Sequence, residues 1–200
     1  NFSLPPHLET LIRQKVERNW VRPPGAAAGL DCALYVTQIP GGQVNGVRIG
    51  GTDAPNRMRF NDQGLVLLVG QADRVVDIGE NSLRDNGDHG IDLANDGPTA
   101  NDLNDADAGP NGLQNFPVLT AVTNNLANTL VAGTLNSATN ASFTLDFYAN
   151  AAMDPTGYGE GQLYLGSTNV TTDGSGNASF IATLASASPY RYVSATATDT

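Results

Sequence analysis

The sequence has few cysteines, few basic residues and no long apolar runs, and each of these features bears on its function. It contains one cysteine, Cys32, so it forms no internal disulfide, and cysteine usage does not identify its compartment. Its 200 residues include 10 Lys and Arg against 20 Asp and Glu, a formal net charge of −10. Because phosphate binding needs clustered basic side chains, this balance argues against a nucleic-acid partner. No apolar run reaches the roughly 18 residues of a membrane span, so none is expected.

The start of the chain also lacks the pattern of a signal peptide. It begins with Asn1 rather than Met, and no basic stretch is followed by an apolar one. We therefore expect the sequence to be part of a longer protein. Charge is uneven along it: residues 1–50 hold five basic and three acidic side chains, a net of +2, and the remaining 150 carry −12. This asymmetry suggests segments of different character.

The first segment, residues 1–50, predicts a helix followed by a β-hairpin. An apolar stripe recurs at spacings of three and four residues: Leu8, Leu11, Ile12, Val16 and Trp20. The run Pro23-Pro24-Gly25 ends the helix. The stretches "LDCALYVTQI" and "QVNGVRI", joined by Pro40-Gly41-Gly42, then read as two strands and a turn.

The run "LIRQKVERNWVRPPGAAAGLDCALYVTQIPGGQVNGVRI" resembles the C-terminal domain of TolA and its TonB-like relatives. The matching features are a helix ending in Trp, a Pro-Pro-Gly exit, Gly-Leu-x-Cys, and Pro-Gly-Gly between two strands, over residues 5–49. The resemblance implies a periplasmic αββαβ domain that binds partners by strand addition and catalyses nothing. The family's second helix and last strand have no counterpart after Ile49, so we expect the hairpin to lack a third strand.

Residues 51–93 contain an internal repeat. "NRMRFNDQGLVLL" and "NSLRDNGDHGIDL" align so that Asn56 matches Asn81 and Met58 matches Leu83. A period in the twenties predicts solenoid coils, and "RVVDI" between the copies predicts another short strand. The stretch "NSLRDNGDHGIDLANDG" resembles the closing coils of right-handed parallel β-helices in large bacterial exported proteins.

An acidic, Asn-rich connector follows at residues 94–115. Calcium prefers hard oxygen ligands, and oxygen-bearing side chains crowd this region. The candidate ligands are Asp92, Asp96, Asp102, Asn104, Asp105 and Asp107. The EF-hand pattern is absent, because Ala106 stands where an oxygen is needed and no Glu follows. Two interpretations stay open, a calcium site in which Asp105 and Asp107 face one side of an extended chain, and a solvated linker.

Residues 116–200 predict an antiparallel β-sandwich. Alternating apolar residues and turn signals delimit six strands: Pro117–Thr123, Leu130–Leu135, Ser142–Ala149, Gln162–Val170, Ala178–Leu184 and Tyr190–Thr198. The segment resembles the immunoglobulin-like domain of the same exported proteins through "FTLDFYAN", "DPTGYGEGQLYLGSTNVTTDGSGNASF" and "YVSATATD". In that family one more strand follows, so we expect this sandwich to be incomplete.

No constellation in the sequence predicts catalysis. His89 lies among Asp85, Asp88 and Asp92, but no Ser or Cys occupies a nucleophile motif, so we interpret it as a solvated corner residue. "GYGEG" at residues 157–161 has no Lys and no following helix, which excludes a phosphate loop. We therefore expect no enzyme activity from this chain.

Together these patterns predict a mainly β chain: an N-terminal helix and hairpin, short β-helix coils, and an immunoglobulin-like sandwich. The expected function is structural or adhesive, without catalysis, in an exported bacterial cell-surface protein whose glycan or protein ligand is unknown. The alternatives are a TolA-like periplasmic coupling protein, with the hairpin as its strand-addition site, and the accessory end of a polysaccharide-active β-helix enzyme. The meeting of two resemblances near residues 49–51 also suggests that two coding sequences were joined.

Overall fold

The computed structural model describes the backbone of five short strands between residues 34 and 77, and all of residues 78–87 and 89–200. The chain divides into two compact units, Asn1–Asp31 and Cys32–Thr200. The predicted helix that carries the Leu8 to Trp20 stripe lies outside the described residues, as does Cys32. Among the described residues no helix is long and apolar enough to cross a membrane.

The described secondary structure is almost entirely β. In chain order the strands are β1 (Leu34–Gln38), β2 (Val44–Ile49), β3 (Arg57–Arg59), β4 (Leu65–Leu67), β5 (Val75–Asp77), β6 (Ser82–Arg84), β7 (Ile91–Leu93), β8 (Val118–Asn124), β9 (Asn128–Asn136), β10 (Ser142–Asn150), β11 (Leu163–Thr171), β12 (Asn177–Ala185) and β13 (Tyr192–Asp199). One short turn segment, Pro110–Leu113, lies between β7 and β8, and its residues Asn111, Gly112 and Leu113 have left-handed φ values of 55°, 68° and 53°.

The predicted hairpin is present, and its sheet has a third strand. β1 and β2 pair antiparallel, with Val36 opposite Val47. β5 adds to β2 in parallel, with Val47 opposite Val76, and the sheet order is β1-β2-β5. The expectation that the hairpin lacks a third strand is therefore wrong, because a strand from the repeat segment supplies it. This pairing joins residues from both sides of the junction expected near residues 49–51.

Two more parallel pairs lie in the repeat segment. β3 pairs with β6, with Met58 opposite Leu83, and β4 pairs with β7, with Val66 opposite Asp92. The first pair has the same partners that the alignment of the two sequence copies matches. The second pair is shifted by one further position along the chain, because the second copy has an insertion before Gly90. The described strands before residue 94 thus form three parallel pairs, β2–β5, β3–β6 and β4–β7.

Residues 116–200 form two antiparallel sheets that pack face to face, as in a β-sandwich. One sheet has the order β12-β9-β8 and the other β11-β10-β13. All six predicted strands are present, and their ends differ from the prediction by at most two residues. The agreement has a simple cause: strands such as β12 alternate strictly between exposed and buried residues, so the two-residue period is visible in the sequence.

The core lies between these two sheets. Phe143, Leu145 and Phe147 of β10 are at most 1% exposed and face Val131 of β9. Phe147 meets Phe180 of the opposite sheet edge-to-face, with 5.7 Å between ring centroids. Each such side chain stabilises the fold by roughly 1.5–3 kcal/mol on burial, so this core is the main source of stability in the segment.

Candidate functional site

The acidic connector is held in place by two asparagines that imitate a backbone partner. Asn115, only 2% exposed, accepts from the Asp102 amide at 3.0 Å and donates to the carbonyls of Asp102 and Asn136, both at 2.8 Å. Asn101 donates to the Phe116 carbonyl at 2.8 Å and accepts from its amide at 2.9 Å. These bonds fix residues 101–107 against the end of β9, so this part of the connector is ordered rather than a free linker.

This ordering brings three of the predicted ligands together. One carboxylate oxygen from each of Asp102, Asp105 and Asp107 lies within 4.8 Å of the others. Asp105 accepts from the Asn115 amide and from Ser137 Oγ, both at 2.8 Å, and Asp102 accepts from the Ala106 amide. The Asp107 Oδ1 atom is buried and has no hydrogen-bond donor. We call Asp102, Asp105 and Asp107 the aspartate cluster.

The electrostatics of the aspartate cluster are unfavourable for three ionised carboxylates. Burial raises the pKa of Asp105, although hydrogen bonds from Ser137 and Asn115 oppose it, and the negative charge of Asp102 raises it further. The pKa of Asp107 is also raised, first by burial and then by the charges of Asp102 and Asp105. A cation among these oxygens would relieve both effects.

The donor set is of the kind that calcium uses. Calcium takes six to eight oxygens at about 2.3–2.6 Å, from carboxylates, amide carbonyls and water. Three carboxylates, one with an oxygen that has no donor, supply part of such a shell, and water would have to complete it. Calcium binding stays a prediction.

The other three predicted ligands lie outside the aspartate cluster. Asp92 accepts hydrogen bonds from the amides of Asn95 and Gly97 at 3.1 and 3.2 Å, within its own turn. Asp96 is exposed. Asn104 donates its amide to Asn136, and its Oδ1 is buried without a donor against Gly176, where an added Cβ would lie 2.3 Å from it.

A second arrangement joins the sandwich to the last described parallel strands. The backbones of Leu83 in β6 and Gly161 in the β10–β11 loop exchange two hydrogen bonds, each 2.8 Å long. β6 therefore has β3 on one side and a single antiparallel bridge to the sandwich on the other. Gly161 lies flat on the Tyr148 ring, because an added Cβ would stand 2.9 Å from a ring carbon.

Side chains reinforce this bridge. Ser82 donates to the Gln162 carbonyl at 2.7 Å, and Glu160 Oε1 accepts from the amide and side chain of Asn86 at 3.1 and 2.8 Å. The Tyr148 hydroxyl accepts from the Glu80 amide at 2.8 Å. Burial raises the pKa of Tyr148 far above its usual value, so its hydroxyl stays neutral. We call these contacts, with the Leu83–Gly161 bridge, the Leu83–Gly161 contacts.

A cleft of about 550 Å³ lies between residues 78–98 and the sandwich. Aromatic and polar side chains line it, among them His89, Phe116, Tyr148, Tyr158 and Glu160. Phe116 and Tyr158 meet edge-to-face at 5.6 Å, and Tyr158 is 42% exposed. His89 is half-buried in this lining, so the interpretation of His89 as a solvated corner residue is wrong.

Sequence reasoning missed the roles of Asn115, Ser137, Glu160 and Tyr148. Glu160 and Tyr148 lie in stretches that the sequence identified only as a Gly-rich turn and a strand. Each acts on residues far away in the chain: Tyr148 on Glu80, Glu160 on Asn86 and Ser137 on Asp105. The only local clue in the sequence is weak: each is a polar side chain near a turn or the end of a strand. Only the packing of distant segments brings each one to its partner.

The sequence matches no protein-family model, and no curated protein shows significant similarity to it. The resemblances to the TolA/TonB C-terminal domain and to exported β-helix proteins therefore stay predictions. So does the expected absence of catalysis.

Proposed function

We propose that this chain is a non-catalytic structural module of an exported bacterial surface protein, in which a sandwich caps the end of a parallel β-helix. The observation that carries this function is the two-bond bridge between Leu83 and Gly161. A parallel stack exposes unpaired backbone groups at its last strand, and such an edge must be paired or covered. Gly161 supplies the pairing.

The register of the parallel pairs supports the β-helix. Each short strand of the first sequence copy pairs in parallel with its counterpart in the second copy, which is the behaviour of a coil. Corner residues have the backbone geometry that tight turns require: Glu80 and Asp85 have φ of 66° and 55°. Asn81, only 1% exposed, donates to the Ile78 carbonyl and so fixes one corner from inside.

The strand order supports the immunoglobulin-like assignment of the sandwich. β9 pairs with β12 in one sheet and β10 pairs with β13 in the other, so the chain crosses between sheets after β9, β11 and β12. Such crossings are typical of Greek-key sandwiches. Within this proposal a calcium ion at the aspartate cluster would stiffen the connector between coil and sandwich.

Removal of the Tyr148 hydroxyl tests the capping role. In Tyr148→Phe the ring stays, but the Glu80 amide loses its acceptor, which costs about 1–3 kcal/mol for a buried donor. Hydrogen exchange of the full chain is expected to accelerate at residues 79–86 and to stay unchanged at Phe143–Phe147. Tyr164→Phe is the matched control, because the Tyr164 hydroxyl donates to Asp146 instead. Equal exchange at residues 79–86 in wild type and Tyr148→Phe would contradict a cap.

The cleft favours a second candidate function, adhesion to a saccharide. Ligand sites are concave and mostly apolar, with a few polar groups that fix orientation, and this cleft has both kinds of lining. The ring of Tyr158, 42% exposed, offers an apolar face, and Glu160 lines the same cleft, a combination that suits the C–H and hydroxyl groups of a sugar.

Adhesion and catalysis separate in one experiment. The chain is incubated with neutral, N-acetylated and uronic oligosaccharides, and both retention and products are measured. Retention of intact saccharide that Tyr158→Ala abolishes, while Leu126→Ala leaves it unchanged, supports adhesion. Leu126 is a suitable control because it is 93% exposed and does not line the cleft. New reducing or unsaturated ends would favour the enzyme alternative.

The TolA-like alternative has less support. Strand addition needs a free edge of the hairpin sheet, and β5 already pairs with β2. The remaining route is the far side of β1. A periplasmic partner peptide that shifts the amide resonances of Leu34–Gln38 would revive this alternative.

A further inference from the structure

The sandwich has four edge strands, and three of them carry features that discourage pairing with another chain. β8 is bulged between Leu119 and Ala121. β11 has a bulge at Leu165, which is left unpaired where Phe147 pairs with Gly166 and Tyr148 pairs with Tyr164, and Gly166 has a φ of 137°. β13 includes Asp199 and follows Arg191. Bulges, irregular backbone and charges are the usual protections of an exposed edge.

The fourth edge strand, β12, has none of these features. Its nine residues, Asn177–Ala185, contain no charge and no proline, and its pairing with β9 shows no bulge. Among the described residues no strand pairs with its other side. A long, regular and uncharged edge is a template for another strand.

Two hydrogen bonds at the start of β12 show which residues direct their backbone groups toward the open edge. The Gly176 carbonyl accepts from the Ser137 amide on the β9 side, and the Asn177 carbonyl accepts from Asp173 on the opposite side. Because backbone groups alternate along a strand, odd-numbered residues direct their N–H and C=O groups away from β9. Ile181, the central residue of β12, therefore presents both groups to the open edge.

The exposed side chains fit the same strand in a second copy. Ile181 is 75% exposed at the centre of β12, with Ser179 and Thr183 exposed on either side. An antiparallel pairing with a twofold axis at Ile181 places Ile181 opposite its equivalent and Ser179 opposite Thr183. Isoleucine pairs and hydroxyl pairs are favourable cross-strand neighbours.

Charge favours a second copy at this edge over the rest of the surface. With a net charge of −10, two copies repel each other wherever acidic side chains face across the contact. The uncharged β12 avoids that repulsion. We infer that two copies of this chain associate through antiparallel pairing of β12 with β12, which joins two three-stranded sheets into one of six strands. This inference does not rest on the proposed function.

Sedimentation velocity over a range of concentrations tests the association. The wild type is expected to pass from monomer to dimer with rising concentration. Ile181→Lys should stay monomeric throughout, because it sets two ammonium groups opposite each other at the axis. Thr123→Lys, an exposed position on β8 in the same sheet, should dimerise like the wild type. A wild type that stays monomeric, or a dimer that persists in Ile181→Lys, would overturn the inference.

Cross-linking tests the register. In a Cys32→Ser background, Ile181→Cys should cross-link to itself with a short bis-maleimide. Thr183→Cys should not cross-link to itself, but should do so when mixed with Ser179→Cys. Cross-linking of Thr183→Cys alone at the same yield would place the axis elsewhere and overturn the register.

Discussion

The sandwich and residues 78–93 before it are stabilised in different ways. The sandwich closes its own apolar core, in which Phe143, Leu145 and Phe147 are at most 1% exposed. Among residues 78–93, Ile78 and Leu83 are the buried hydrophobic ones, and this stretch is joined to the sandwich by the Leu83–Gly161 contacts. Apolar burial makes one region self-sufficient, whereas hydrogen bonds make the other dependent on its neighbour.

This difference implies a hierarchy of stability. Apolar burial contributes about 25 cal/mol per Å², so a closed core holds its strands cooperatively. A hydrogen bond contributes about 0.5–1.5 kcal/mol net, so the Leu83–Gly161 contacts are a sum of small terms. Damage to the core should therefore unfold both regions, and damage to the polar contacts should loosen only residues 78–93 or the connector.

The largest effect is expected from the core. Phe147→Ala removes a ring that is 0% exposed and leaves a cavity opposite Phe180, which costs about 3–5 kcal/mol. We expect the melting temperature to fall by about 10 °C, with residues 78–93 and the sandwich unfolding together. Circular dichroism and hydrogen exchange provide the measurement, and Thr123→Ala on the exposed face of β8 is the control. Unfolding of residues 78–93 alone would show that the hierarchy is reversed.

A smaller effect is expected in the connector. Asn115→Asp keeps the shape but removes the donor to the carbonyls of Asp102 and Asn136, and it adds a charge beside Asp105. Buried groups without a partner cost about 1–3 kcal/mol each, so we expect about 2–4 kcal/mol in total. Exchange at residues 101–107 should accelerate most. Asn169→Asp, exposed on β11, should change the free energy of unfolding by less than about 0.5 kcal/mol. A connector that stays equally protected in Asn115→Asp would show that other contacts hold it.

The smallest effect concerns the charge of the aspartate cluster. A carboxyl whose pKa is raised on folding binds its proton better in the folded state, so stability increases as pH falls through that raised pKa. Asp107→Asn should therefore raise the melting temperature at neutral pH without calcium. This gain should shrink as the pH falls through the raised pKa of Asp107, because the wild-type carboxyl then becomes neutral as well.

The effect of calcium on the melting temperature also distinguishes the wild type from Asp107→Asn. If calcium binds, millimolar calcium should raise the wild-type melting temperature by mass action, and Asp107→Asn should lose that increase. Asp96→Asn, an exposed change outside the aspartate cluster, should keep it. A wild type that melts at the same temperature with and without calcium would remove the metal from this site.

Regions with a short-range pattern were the predictable ones. Alternation in β10 and β12 gave strand ends within one residue, and the turn "DGSGN" is closed by Asp173, which accepts from the amides of Ser175 and Asn177. Asp102, Asp105 and Asp107 are three of the six predicted ligands, but the extended chain expected at Asp105 is wrong, because Asn104 and Asp105 have left-handed φ values of 59° and 57°. The sequence did not show that Asp92 and Asp96 lie outside the aspartate cluster. Asp92 instead accepts hydrogen bonds from two backbone amides of the turn after β7.

The amino-acid sequence by itself determined where strands form, since the period of side-chain burial is set by backbone geometry. Which strands meet was decided by tertiary structure: β5 completes the hairpin sheet, and Gly161 pairs with Leu83, which stands far from it in the chain. The physical reason is that a backbone edge carries the same N–H and C=O groups whatever its side chains are. Its partner is chosen by packing and charge over the whole molecule, and no local pattern encodes that choice.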